Sequence, residues 1–430
     1  MRTSLVALVC ALLSPAAAVR AQQPLERFLD AASRSALDLR EAQAALDAAR
    51  SQVDEARARL LPGVTGQAVY QHNEPAVVVT IPAGVDPMTG MPILRQSTIT
   101  AADQVTVAAL ATMPVLDLGA WSGWLQSEAL ADAADGQRDA ALLAVQGAVI
   151  QLWHQVASAR AIEAAAARAL SAAEHVRLAV ESRVNAGVAP PLELARADAE
   201  VARARQAVAD THLGTVLVER GLANLTGLVP DGTQVRLEDD RRPADPLQTF
   251  LDRTAQLPAV RAARAQDRAA DIARDAAWFA LLPSIAAQAS ARWTNAAGFA
   301  RQDTYYVGLS ATWVLDFLRP AQIGTRSAQQ RLADVRAERV VQATETAVFE
   351  AWQRVDAARA RAEAAAAAEA ATARAATDAR ARFAAGAGTQ LEQIQAERDL
   401  FQAEVGHIQA TAELRVARAL LRSRAGLPPG

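Results

Sequence analysis

The sequence predicts a mainly α-helical protein with membrane β: a tandem-repeat protomer in which each copy inserts a β-hairpin among long helices. Three observations predict it. The helix-breaking turn Asn185-Ala-Gly-Val-Ala-Pro-Pro191 recurs as Ala384-Ala-Gly-Ala-Gly-Thr-Gln390, which sets Gly187 and Gly386 at an offset of 199 residues. That offset persists far from the turn. It pairs Val115-Leu-Asp117 with Val314-Leu-Asp316, Trp153 with Trp352, Arg183 with Arg382, Leu192-Glu193 with Leu391-Glu392, and Gly227-Leu228 with Gly426-Leu427. One register held over so long a span marks a duplication. Finally, each copy switches its apolar period from helical to two just beyond a Leu-Leu-Pro, at residues 60–62 and 281–283.

Composition narrows the class. A chain of 430 residues would ordinarily suggest two or three globular domains, but aromatics are only 4% and every basic residue other than His is Arg. Alanine, Glu and Arg at helical spacing read as long packed helices. A net charge of −3 offers no field for nucleic acid, and the arginines spread along solvated or paired helix faces. Residues 1–21 read as a secretory signal peptide: Arg2, an apolar run from Leu5 to Leu13, then Ser14-Pro15 and small residues. Cys10, the sole cysteine, falls inside that run and follows Val9, so the expectation is a mature chain without disulfide or thiol chemistry. No later stretch offers ~18 uninterrupted apolar residues, so no transmembrane helix is expected.

The first repeat is expected over 22–228. Leu25 to Leu60 reads as one helix of 36 residues, with Phe28, Leu29, Leu37, Leu46 and Val53 among Ala, Glu and Arg; Pro62 ends it. A β-hairpin follows over 62–114. Val64, Gly66, Ala68 and Tyr70 alternate with polar residues, and so do Val105, Val107, Ala109, Ala111 and Met113; Pro114 should close the strand. About ten alternating residues with terminal aromatics is the pattern of a membrane strand. Gly119 to Gly187 then reads as a helix of 69 residues, whose Leu142, Val145, Val149, Leu152 and Val156 step by three and four as a packing seam. The tip turn spans 185–191: Gly187 stops one helix through φ > 0, and Pro190 and Pro191 suit the start of the next. Leu192 to Leu225 is the returning helix of 34 residues, and 229–245 links the copies.

The second repeat, 246–430, has the same order. Pro246-Leu-Gln-Thr-Phe-Leu-Asp252 matches Pro24-Leu-Glu-Arg-Phe-Leu-Asp30, and the second hairpin is expected over 283–313 with Ile285, Ala287, Ala289, Ala291, Trp293 and Tyr305, Val307, Leu309, Ala311, Trp313 on one face. The second tip turn spans 384–390. The two shorter helices of the first copy together match its long one, which allows a column about 100 Å long at ~1.5 Å per residue. Four strands cannot close a barrel, and an open edge in lipid leaves backbone groups unsatisfied. Several chains must then share one barrel; the strand count permits two, three or four.

Order, spacing and repetition of these features make the chain resemble the TolC family of outer-membrane efflux proteins over essentially its whole mature length. The resemblance implies a homotrimer whose shared 12-stranded barrel in outer-membrane lipid continues as an antiparallel α-helical barrel through the periplasm. It implies a passive exit duct of a tripartite efflux or type I secretion system, carrying small molecules or polypeptides. The tips would dock on a periplasmic adaptor (membrane fusion) protein coupled to an inner-membrane pump or secretion ATPase. Two departures stand out. At the second tip the family often has a tyrosine, a basic residue and two acidic residues where this chain has Phe383, Gly388, Glu392 and Gln395, which speaks against a strong polar latch. The first hairpin is 22 residues longer, around Pro75–Pro82 and Asp86–Pro92, and is expected to be an extracellular loop. The alternative from a different class is a periplasmic coiled-coil adaptor or structural protein whose hairpins pack on helices.

No catalytic constellation emerges, and neither enzyme activity, a cofactor nor a metal is expected. His72, His154, His175, His212 and His407 lack ligand spacing, and Met88 and Met91 belong to a Pro/Gly loop. Trp153 and Trp352 are expected to fill space between helices. Glu193 and Glu392 sit in first helical turns, where a carboxylate suits the helix dipole; Thr389-Gln-Leu-Glu392 also matches a capping box. Brought together by symmetry, the same two residues would form a gate or selectivity ring. Gly187, Val188, Gly386 and Ala387 are the candidate adaptor contacts.

Overall fold

The computed structural model describes residues 23–231 and 242–428, so the expected signal segment and part of the inter-repeat linker lie outside the described residues. The elements run in order as helices α1 (Leu25–Ser35) and α2 (Leu37–Ala58), strands β1 (Gly63–His72), β2 (Val77–Val85), β3 (Pro92–Thr100) and β4 (Asp103–Leu116), then α3 (Leu118–Asn185) and α4 (Pro191–Thr226). The second copy contributes α5 (Leu247–Leu251), a 3-10 turn at Thr254–Gln256, α6 (Pro258–Phe279), β5 (Ser284–Thr294), β6 (Asp303–Thr312), α7 (Leu318–Ala384) and α8 (Gln390–Arg424). Two compact units result: one takes residues up to 43, 138–258 and 341 onward, the other 44–137 and 259–340.

The first unit is built on two equivalent cores. Phe28 of α1 packs with Val145, Val149 and Val156 of α3 and Leu222 of α4; Phe250 of α5 packs with Val348, Ala351 and Val355 of α7 and Leu421 of α8. The predicted seam is therefore the seam that is buried. Burying such a side chain contributes about 1.5–3 kcal/mol, which is why a helix as short as α5 holds its place. The two tryptophans pin the same spots: Trp153 Nε1 donates to the Gln23 carbonyl at 3.1 Å, and Trp352 Nε1 donates to the Asp245 carbonyl at 2.9 Å. Charged pairs link the helices. Arg177 reaches Asp198 between α3 and α4, Arg168 reaches Glu404 between α3 and α8, and Arg380 reaches Glu397 between α7 and α8. Each of these helices is thereby tied to at least one other. Exposed pairs contribute only about 0.2–1 kcal/mol each, so they set register more than stability. On α4 Leu213, Val216 and Leu217 stay exposed, and on α7 Phe349 does.

His154 of α3 is the exception to this easy solvation. It is buried, its Nδ1 has no partner among the described residues, and burial with Arg415 nearby pushes its pKa from 6.5 down to about 4. An unfolded chain takes up that proton near 6.5 while the folded chain resists until about 4. The stabilisation is therefore complete above pH 6.5 and is lost as pH falls between those values, by up to about 3 kcal/mol. Relative to wild type, His154→Leu should lose less thermal stability between pH 7 and pH 4.5, read by the helical circular-dichroism signal; an unchanged pH slope would disprove it.

The second unit carries a four-stranded antiparallel sheet in the order β1-β4-β5-β6, so the two repeats join through β4 and β5. The register puts Val64, Gly66 and Ala68 of β1, Val107, Ala109 and Ala111 of β4, Ala287, Ala289 and Ala291 of β5, and Tyr305, Val307 and Leu309 of β6 on one face. Thr65, Gln67, Thr112, Gln288, Ser290, Ser310 and Thr304 lie on the other. Tyr305, Val307 and Leu309 are 87%, 82% and 75% exposed, an apolar surface that water would not leave uncovered. Beneath the sheet, Arg50 of α2 meets Asp135 of α3, and Arg268 of α6 meets Asp132 of α3. Burial and the carboxylates of Asp271 and of Asp334 on α7 push the Asp267 carboxyl upward in pKa, which places α7 beside α6.

Several expectations need correction. The helix predicted from Leu25 to Leu60 breaks at Ala36, which is extended at φ −60° and ψ 125°. The second copy breaks at the matching place, before Pro258. There the proline explains it; in the first copy Ser35 Oγ supplies alternative hydrogen bonds to the carbonyls of Ala31 and, on α4, Leu225. Pro114 does not close β4. The strand continues to Leu116, and Pro114 lies past the end of the β1 pairing, where its missing N–H costs no ladder bond to β1. The extra 22 residues carry strands of their own: β2 and β3 form a separate antiparallel hairpin. Finally, α3 is long and apolar enough by composition to cross a membrane, because alanine scores as apolar although it is here a close-packing residue.

Candidate functional site

Both helix-turn tips close by the same backbone device. At the first, Gly187 takes φ +74°, its N–H donates to the Val184 carbonyl at 2.9 Å, and the Val188 N–H donates to the Arg183 carbonyl at 3.0 Å. At the second, Gly386 takes φ +73°, its N–H donates to the Phe383 carbonyl at 3.1 Å, and the Ala387 N–H donates to the Arg382 carbonyl at 2.8 Å. These bonds satisfy the last carbonyls of α3 and α7. A side chain at either glycine would meet nothing within 4 Å, so only the backbone conformation demands glycine there. Val188 is 70% exposed beside it.

The returning helices start differently. Pro190 is the N-cap of α4 and Pro191 its first residue, with no side-chain cap. Thr389 caps α8 in a full capping box: the Glu392 N–H donates to Thr389 Oγ1 and the Thr389 N–H donates to Glu392 Oε2, both at 3.2 Å. Glu392 is thus held as a cap. Glu193 is not: its N–H donates to the Pro190 carbonyl at 3.0 Å, while its buried Oε2 has no partner among the described residues. Gly388, where the family often carries a basic residue, is packed tight; a Cβ there would sit 3.1 Å from Arg382 Cβ and 3.3 Å from Glu392 Oε2.

Polar links do join the two repeats near the tips, through residues the sequence did not single out. Gln390 Nε2 donates to the Glu193 carbonyl at 2.8 Å, and Arg398 binds Glu200 through two hydrogen bonds. The Arg398 pair holds the Glu200 carboxyl below its usual pKa range, against the opposing effect of burial. The Arg183 guanidinium carbon lies 4.9 Å from the centre of the Phe383 ring. These contacts join the two repeats through Gln390, Arg398 and Arg183. No repeat signal could have shown them, because Arg398 aligns with Ala199 and Glu200 with Asp399 under the offset of 199. Above these links, Ala166, Ala169, Ala173, Ala197, Ile394 and Phe401 line a cavity of about 290 Å³ between α3, α4 and α8. Gln390 and Gln393 are buried with their Oε1 atoms also unpartnered among the described residues.

The histidines do not gather. His72 meets Asp103, His212 meets Glu163 and His407 meets Glu369, each as a single pair. Among the described residues no group of three or more His, Cys, Asp or Glu is arranged to hold a metal ion.

A family model described as outer membrane efflux protein matches residues 28–228 and 253–427. Solved structures agree on the fold. The CmeC outer membrane channel of Campylobacter jejuni is 16% identical, with 94% of this chain and 86% of that one covered at a TM-score of 0.78. A membrane protein from Pseudomonas aeruginosa is 20% identical, with 94% and 90% covered at a TM-score of 0.78. The open state of the Neisseria gonorrhoeae MtrE outer membrane channel is 20% identical, with 95% and 90% covered at a TM-score of 0.76. No curated protein sequence matches. The match sets aside the alternative of a periplasmic adaptor or structural coiled coil.

Proposed function

From the premise that this chain belongs to the outer membrane efflux protein family, serving as an exit duct in the outer membrane and reaching into the periplasm, we propose that three copies share one passive channel. One observation carries the reading: the sheet ends on two unpaired edges, β1 and β6, under a continuous apolar face. Such edges are unsustainable in lipid, and pairing β6 of one copy with β1 of the next removes them. The same head-to-tail contact would cover the exposed Leu213, Val216 and Leu217 of α4 with a neighbour's α7. Native mass measurement in detergent should give a trimer. A monomer with its β content intact would refute the shared barrel.

In this reading the tips at Gly187-Val188 and Gly386-Ala387 receive a periplasmic adaptor coupled to an inner-membrane pump or secretion ATPase. Their exposure and the alanine-lined cavity above them support this. Glu193 and Glu392 form the gate ring, in unequal parts. Glu193 has a carboxylate oxygen without a partner, whereas Glu392 is tied to Thr389. A ring of carboxylates in a narrow pore attracts cations. The Glu193→Gln/Glu392→Gln variant keeps size and an amide oxygen for the cap, so folding should hold while cation selectivity falls several-fold in planar-bilayer recordings. Retained selectivity and divalent block would leave both residues as helix caps only.

A further inference from the structure

Where the second repeat begins, a cavity of about 330 Å³ opens between the incoming segment, α3 and α8. Arg242 and Asp245 of that segment, His154 of α3, and Arg415, Arg418 and Arg422 of α8 line it. Four guanidinium groups are thus gathered with one carboxylate, in a chain whose net charge is −3. Phe250 and Leu421 of the second packing core share the lining, which weakens the screening of those charges by water.

The arginines of α8 are not spent on acids. Arg418 donates to the Arg242 carbonyl, and Arg422 Nε donates to the Pro428 carbonyl at 2.9 Å. Neither forms an ion pair with a described residue. His154 is only 6% exposed, and its Nδ1 and the Arg418 Nε are buried without a hydrogen-bond partner among the described residues. Burial and the neighbouring Arg415 keep the imidazole neutral at pH 7, where it has one N–H to offer. The first repeat is balanced at the matching place. Under the offset of 199, Arg418 aligns with Glu219, Arg415 with Val216 and Arg422 with Ala223. There Glu219 accepts from Arg160 Nε at 2.7 Å, and Arg160 also donates to the Pro230 carbonyl at 3.0 Å. The second repeat carries a base where the first carries that acid.

We propose that this cavity holds a small oxyanion of the phosphate or dicarboxylate class between Arg418, Arg422 and His154. Guanidinium forks match the paired oxygens of phosphate and carboxylate, and a neutral imidazole adds a donor without adding charge. The anion stands in for the acid of the first repeat and ties the Arg242–Asp245 segment to α8. The site lies within one copy of the chain. Equilibrium dialysis of the detergent-purified protein against radiolabelled inorganic phosphate tests it, with succinate in a parallel arm at the same ionic strength. At least one of the two anions should bind saturably with a single site per chain, and the arm that binds identifies the class. Arg418→Gln/Arg422→Gln should weaken that binding by about tenfold or more, as expected for lost charge-assisted bonds, with the helical circular-dichroism signal unchanged. Should the double variant lose its helix, Arg422→Gln alone carries the comparison, since its bond to the Pro428 carbonyl lies at the surface. No saturable binding of either anion would overturn the site, and so would equal affinity in wild type and variant.

Discussion

Leu309→Arg is expected to keep most of the protein out of the outer membrane. Leu309 lies mid-strand in β6, paired with Ala287, on the face that also bears Tyr305 and Val307. An arginine at the midplane of a membrane strand costs about 2–4 kcal/mol, and a threefold assembly would meet that cost three times. The adjacent Ser310→Arg is the control: it changes the opposite, polar face and should insert and assemble normally. Membrane fractionation with heat-modifiable migration separates the outcomes. Equal insertion of both variants would mean that the apolar face does not meet lipid.

The second large effect is expected at the tips. Gly187→Trp, alone or with Gly386→Trp, should abolish export while the protein still reaches the outer membrane. A non-glycine residue at φ +74° costs roughly 1–2 kcal/mol of local strain, small beside the packing of α3 and α4. The indole, by contrast, would project into the space now open around Gly187. Gly187→Asn tolerates the left-handed backbone and adds little bulk, so it should export nearly as wild type. Susceptibility of the host to an exported compound, with adaptor co-purification, gives the readout. Export and co-purification both unchanged in the Trp variants would place the docking surface elsewhere.

Much of this fold was legible because the duplication tests itself. A period-two stretch is ambiguous alone, but the alternation at Val64–Tyr70 gains weight when Ile285–Ala291 repeats it in the second copy, and the register puts Val64, Gly66, Ala68, Ala287, Ala289 and Ala291 on one face. Trp153 and Trp352 pack against the two helical cores as their matched positions imply, while their bonds to the Gln23 and Asp245 carbonyls depend on segments more than a hundred residues away. What stayed hidden has physical reasons. The break at Ala36 involves a contact to Leu225 far along the chain, and no local breaker announces it. The β2–β3 hairpin carries Pro82 and a register shift beside it, which blur its alternation into a loop-like pattern. At the tips, helix ends could be read from Gly and Pro, but the Gln390 and Arg398 links depend on which faces α4 and α8 turn to each other.

The two tips share a backbone turn but not a chemistry. One begins its return helix on consecutive prolines with Val188 beside them, the other on a threonine whose hydroxyl and N–H are both engaged by Glu392. In a ring of three chains such tips must alternate, an apolar niche followed by a polar one, around the circumference. A partner arriving as six equal subunits would find only three equivalent berths of each kind. Saturation would then proceed in two affinity classes of equal size, and mutations in one tip would erase one class while leaving the other half-occupancy intact.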